Sequence, residues 1–106
     1  NGLAVDSAEG QRMAELIADN DILFLANHGV VVTATDIAMA FDDLYYLERS
    51  CMIQVLAEST GNPLRIISEE ISRATREQIA KEAQQSYLHM EAIKRMLLRS
   101  HPEILG

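Results

Sequence analysis

Two short apolar runs, Ile22 to Leu25 and Val30 to Val32, stand on either side of Ala26-Asn27-His28-Gly29. No other feature of the 106-residue chain restricts its fold as much. Each run is apolar, four residues or fewer and flanked by turn-type residues, so each reads as a strand. Gly29 permits a backbone conformation that a residue with a Cβ would resist. His28 is thereby placed at a strand end, where the sheet behind it aims the imidazole. That position suits a metal ligand or a catalytic base, and it also suits a histidine that merely satisfies a backbone group.

Helical signals surround these strands. Asp6-Ser7-Ala8-Glu9 has the form of a capping box, and Met13, Leu16 and Ile17 follow at helical spacing. A first helix is expected from about Ser7 to Asp19, broken by Asn20 and Asp21. Thr35 is the best cap for a long helix over roughly 36–59. Its apolar stripe runs through Phe41, Leu44, Leu47, Cys51 and Val55, widened by Ile37, Met52 and Leu56. Gly61 suits the position after a helix end, and Pro63 prevents continuation.

Leu64 to Ile67 reads as an edge strand or an extended connector. Ser68 then caps a final helix, with Glu69 and Glu70 in the first turn where the helix dipole favours negative charge. Its apolar positions continue through Ile71, Ala74, Ile79, Ala83, Met90, Ile93 and Leu97 until Pro102. Such a helix approaches ~30 residues, or about 45 Å. A domain of this size measures about 26 Å across, so one end should project. The expected organisation is one part of a single domain: 1–67 forms the sheet with two helices, and 68–100 forms one long helix. Two strands and a short third candidate do not close a sheet. The missing strands lie upstream in a longer parent or come from another copy.

Composition narrows the function classes. The net charge is −7 and aromatic residues make up 5% of the chain, which leaves neither a basic stripe nor stacking platforms for nucleic acid. One cysteine, Cys51, permits no internal disulfide and fits a reducing cytoplasm. No stretch reaches the ~18 consecutive apolar residues of a membrane span. The start, from Asn1 rather than Met, has no signal-peptide pattern and points to a longer parent.

The run from Ile22 to Val32, then Ala40-Phe41, then Leu47-Glu48-Arg49-Ser50-Cys51-Met52-Ile53-Gln54 resembles the C-terminal half of the class II aldolase/adducin domain. The resemblance extends over about Gly10 to Gly61. It implies an α/β/α sandwich, of which this chain would contribute short strands plus three helices, the last two long. It also implies a divalent metal, usually zinc, held by three histidines. His28 corresponds to the third of these. The other two come from an upstream His-x-His that this chain does not contain, and an upstream acid/base carboxylate is likewise outside it. The implied chemistry is retro-aldol or related carbanion chemistry on a sugar phosphate or hydroxy-carbonyl compound. A cytoplasmic homo-oligomer is expected, because a second copy would cover the projecting apolar helix and the open sheet edges. With a single histidine ligand, the fragment itself is expected to be inactive and to hold no metal stably. The family also contains adducin heads, so a non-catalytic, cytoskeletal assembly module is the alternative.

Relatives often bring a tyrosine to the metal as a proton donor. Tyr87 is the candidate for that role, with Tyr45 and Tyr46 competing, although packing or a surface hydroxyl is the commoner fate of such residues. Tyr87, His89 and Glu91 lie two apart and do not share a helix face. Asp42 and Asp43 are adjacent and point apart, so they are no paired-carboxylate site. Cys51, on the apolar stripe, is expected to be a buried, inert thiol.

Overall fold

A computed structural model describes residues 7–105. The element order is α1 (Ser7–Ile17), β1 (Ile22–Leu25), β2 (Gly29–Val32), α2 (Ile37–Ser59), α3 (Glu69–Ala80) and α4 (Ala83–Ser100), then a short 3₁₀ turn at Pro102–Leu105. The chain divides into two compact units, one ending at Ala34 and the other beginning at Thr35.

In the first unit, α1 forms where its apolar spacing predicts. The Asp6 half of the expected capping box lies outside the described residues. The helix stops as Ala18 takes a positive φ of 47°, and Asn20 returns both its backbone and its side-chain N–H to the Ile17 carbonyl. β1 and β2 then pair antiparallel, with Ile22 opposite Val32 and Leu25 opposite Gly29. The Thr33 N–H donates to the Asp21 carbonyl at 2.8 Å and closes the open end of the ribbon. Leu23 and Leu25 are half-buried on one face, while Ile22 and Phe24 are exposed on the other. No third strand occurs among the described residues, and 64–67 is a connector without regular secondary structure.

The second unit is built on α2. Its N-cap is Asp36 rather than the expected Thr35. Asp36 is the last extended residue, at φ −149° and ψ 171°, and its carboxylate accepts from the Met39 N–H at 2.9 Å. A carboxylate is favoured there over a hydroxyl because it also meets the positive end of the helix dipole. Thr35 instead points its hydroxyl at the Met39 sulfur. At the other end, Thr60 caps the helix and Gly61 follows at φ 73°, a left-handed conformation that favours glycine.

The single long final helix is not formed. Ser68 caps a helix as expected, its Oγ accepting from the Ile71 N–H, but that helix ends at Ala80. At the break, Glu82 donates to Ile79 and Gln85 donates to Glu82, three residues back instead of four. Neither Lys81 nor Glu82 is a helix breaker by propensity. The cause is tertiary: α4 is tied side chain by side chain to α2, whereas every residue of α3 is exposed. An unbroken rod would have to hold both segments on one axis.

Little of the apolar stripe is covered. Ala38 is the one buried apolar side chain among the described residues, and no large side chain is fully buried. Phe41 and Leu47 are half-buried, but Leu44, Met52, Val55 and Leu56 are exposed. Cys51 is exposed as well, which corrects its expected burial. Periodicity marks the stripe as apolar, but among the described residues of this unit only its Phe41 and Leu47 positions are partly covered.

Candidate functional site

The ribbon turns through Ala26, Asn27 and His28. The His28 N–H donates to the Leu25 carbonyl at 3.2 Å, closing a four-residue turn. Asn27, the third residue of that turn, has φ 65°. A positive φ at this position is the demand of a type II turn, and asparagine is the residue that tolerates it best after glycine. Gly29 follows at φ 151°, also in a region that side-chain-bearing residues rarely adopt. Both unusual conformations flank His28, so the backbone on either side of the imidazole is set by residues chosen for it. The glycine is legible in the sequence, whereas the left-handed conformation of Asn27 emerges only with the turn.

The His28 backbone N–H is satisfied, while its ring makes no hydrogen bond, ion pair or ring contact with the other described residues, and the residue is exposed. The alternative in which the side chain satisfies a backbone group is therefore not what the turn uses. Among the described residues no three of His, Cys, Asp and Glu gather as a set able to hold a metal ion. The turn fits the role of one imidazole donor, and the described residues do not by themselves fit a zinc site, which needs three protein ligands.

A second constellation joins α2 to α4. Asp42 Oδ2 accepts from Ser86 Oγ at 3.0 Å, and Asp42 Oδ1 accepts from His89 Nδ1 at 2.7 Å. Ser86 and His89 are three apart and so share a helix face. The imidazole is enclosed by rings, with centroids 5.4 Å from Phe41, 4.6 Å from Tyr45 and 6.0 Å from Tyr46. Arg49 donates to the Tyr45 hydroxyl at 2.6 Å and lies close to its ring. Tyr45 and Tyr46 are thus part of this packing cluster. The sequence reading missed it because its two halves come from different helices. The one legible clue was the i,i+3 spacing of Ser86 and His89.

Tyr87 sits beside this cluster, and its hydroxyl donates to Asp36, the N-cap of α2. That hydrogen bond holds the Asp36 carboxyl below its usual range, helped by the Met39 N–H. The same bond, together with repulsion from the carboxylate, raises the Tyr87 phenol above its ordinary value.

Residues 3–55 match the family described as class II aldolase and adducin N-terminal domain. The chain belongs to that family. A Pseudomonas aeruginosa protein whose name places it in aldolase class 2 is 33% identical over 79 residues, which cover 74% of this chain and 30% of the relative. The decarboxylase NovR of Streptomyces niveus is 30% identical over 78 residues, covering 74% of this chain and 28% of its own length. The crystal structure of an aldolase II superfamily protein from Pseudomonas syringae superposes with a TM-score of 0.78 at 30% identity, covering 95% of this chain and 41% of that one. The likeness in fold is that of an α/β fragment, and it extends well past the family match into α3 and α4. The chain spans less than a third of the length of these curated relatives.

Proposed function

We propose that this chain is part of a metal-dependent class II aldolase-like lyase, acting on a sugar phosphate or a related hydroxy-carbonyl compound, with His28 as one ligand to a divalent ion such as zinc. The observation that carries the proposal is the His28 imidazole, presented without a side-chain partner on a turn whose backbone is fixed on both sides by Asn27 and Gly29. Aldolase and decarboxylase relatives support the carbon–carbon bond chemistry. A divalent ion supplies Lewis acidity toward an oxygen of the substrate. What this chain contributes is one neutral imidazole, aimed by a strand pair. In this reading the remaining ligands and the acid/base carboxylate come from chain outside these residues, so residues 1–106 alone are inactive.

Tyr87 is the proposed proton donor. A tyrosine hydroxyl is protonated at neutral pH, the form a general acid needs. To act, it must give up Asp36. No helix among the described residues is long and apolar enough to cross a membrane, and a cytoplasmic homo-oligomer is part of the proposal.

The test is metal content in a full-length parent. We expect about one divalent ion per subunit, and His28→Ala should weaken metal affinity at least ~10-fold, the lower end of what even a supporting residue costs. Undiminished metal content in the folded variant would remove His28 from the site. A parent with no bound metal would favour the adducin-like assembly module. Metal-dependent aldol cleavage by residues 1–106 alone, abolished by a chelator, would show that the site is already complete in this chain.

A further inference from the structure

The helical ladder between α3 and α4 is interrupted at one residue. Lys81 still has right-handed helical dihedrals, φ −80° and ψ −10°. Glu82 departs from them, at φ −107° and ψ 39°, and no side chain caps the first turn of α4 behind it. Turning its ψ through about 80° and its φ through about 45° restores helical values. The local sequence favours that change: Gln78-Ile-Ala-Lys-Glu-Ala-Gln84 contains no glycine or proline and consists mostly of good helix formers. Joining the helices would move the Glu82 and Gln85 amides from acceptors three residues back to acceptors four back. It would also supply acceptors to the uncapped first turn of α4.

What opposes the joined helix is chain closure. Among the described residues no hydrogen bond or ion pair ties α3 to another element, and all of its residues are exposed. It is held only by its two ends. One end is the connector from Thr60, at the close of α2. The other is α4, pinned to α2 by Asp42 through Ser86 and His89 and by Asp36 through Tyr87. α2, the connector, α3 and α4 thus form a closed ring. From the Asp42–Ser86 contact, α2 runs about 27 Å to Thr60, and a joined helix would run about 27 Å back to Ser68. The connector between those ends reaches at most about 29 Å. Allowing about 9 Å between helix axes, the ring closes on a straight helix only if the two arms diverge by less than about 60°. A bend at Glu82 removes that restriction. We propose that Glu82 is a hinge held bent by this ring, and that loosening the ring lets α3 and α4 join into one helix, with α3 swung out as a lever arm about 18 Å long. A partner that prefers the joined helix then works against the Asp42 and Asp36 contacts, and loss of those contacts favours the joined helix. This inference rests on α2, α3 and α4 and needs neither the metal nor the lyase reading.

The experiment measures the distance between spin labels at Ser72→Cys in α3 and Arg95→Cys in α4, by pulsed electron resonance in a Cys51→Ser background. Both labelled positions are exposed. A joined helix places them about 35 Å apart. The ring is loosened by inserting roughly eight Gly and Ser residues between Asn62 and Pro63, which adds flexible reach and leaves every helix unaltered. We expect a shorter distance with the original connector and a main population at about 35 Å with the longer one, with helix content by circular dichroism no lower. Glu82→Pro in the lengthened chain should bring the shorter distance back, because proline cannot continue the ladder. An unchanged distance in the lengthened chain would overturn the proposal by showing that the bend belongs to Lys81 and Glu82 themselves. A distance already near 35 Å with the original connector, a broad spread of shorter distances with the longer one, or indifference to Glu82→Pro would equally overturn it.

Discussion

The Asp42 carboxylate and the His89 imidazole meet at 2.7 Å although 47 residues separate them in the chain. The same carboxylate also accepts from Ser86, so one residue of α2 fixes two successive positions on a single face of α4. Both partners of the Asp42–His89 pair keep less than a fifth of their side-chain surface exposed. A bond so placed is screened less by water than the ion pairs elsewhere, such as Lys94–Glu91, whose side chains are more than half exposed. With almost no apolar core between the helices, these polar contacts and the rings around His89 determine how α4 lies on α2.

Removing the shared acceptor should therefore cost more than removing either donor. Asp42→Ala leaves the Ser86 hydroxyl and the imidazole N–H without their partner. We expect a loss of about 1–3 kcal/mol in urea unfolding, with Asp42→Asn losing less because its amide oxygen still accepts. Ser86→Ala should cost roughly 1 kcal/mol or less. Equal stability of Asp42→Ala and the parent would show that the contact does not hold the helices.

The Asp36–Tyr87 pair predicts a dependence on pH at both extremes. The Asp36 carboxyl is held below its usual 3.8 by the Tyr87 hydroxyl and the Met39 N–H. A depressed acid stabilises the fold above its unfolded value, and that contribution disappears as pH falls through the lowered one. Tyr87 is raised above 10.0 by the same bond. Its contribution is complete below the unfolded value and is lost as pH rises through the raised one. Unfolding midpoints measured from about pH 8 to about pH 12 should fall for the parent and stay flatter for Tyr87→Phe, the other two tyrosines being common to both. Parallel curves would mean the hydroxyl is not engaged with Asp36 in solution.

The elements that local chemistry dictates were legible in the sequence. Short apolar runs around Asn27-His28-Gly29 gave both strands, Ser68 gave the start of α3, and Gly61 with Pro63 gave the end of α2. The misjudged features depend on distant contacts. The break at Lys81 and Glu82 has no glycine or proline to announce it, because it reflects the tethering of α4 alone. Cys51 lies on an apolar stripe, and periodicity reports that a face is apolar without reporting what covers it. At the site, His28 was visible through its motif, whereas Asp42, Ser86 and His89 required the pairing of two helices.

The freedom of α3 predicts unequal protection along the chain. Amide exchange should be fast throughout α3 and slower in α2 and α4, because among the described residues α3 has only its own hydrogen bonds, the Ser68 cap and the exposed Arg73–Glu69 pair to hold it. Ser68→Ala removes a cap worth about 1 kcal/mol. That loss should speed exchange within α3 while leaving the unfolding midpoint of the α2–α4 pair within error. A matching fall in both would show that α3 is packed on them.

The turn that carries His28 makes the sharpest conformational demand. Asn27 at φ 65° is tolerable for asparagine and costs a β-branched residue much more. Asn27→Gly should leave the ribbon intact, and Asn27→Val should destabilise it by about 1–3 kcal/mol. At Gly29, a Cβ would meet no atom within 4 Å, so any penalty for Gly29→Ala comes from φ 151° and not from crowding. The readout is the exchange protection of the cross-strand amides of Ile22 to Leu25 and Gly29 to Val32, together with the ring resonances of His28. Loss of protection in Asn27→Val and Gly29→Ala, with protection retained in Asn27→Gly, would establish that strained backbone on both sides aims the imidazole. Full protection in all three variants would refute it, and His28 would then owe its direction to something other than the turn.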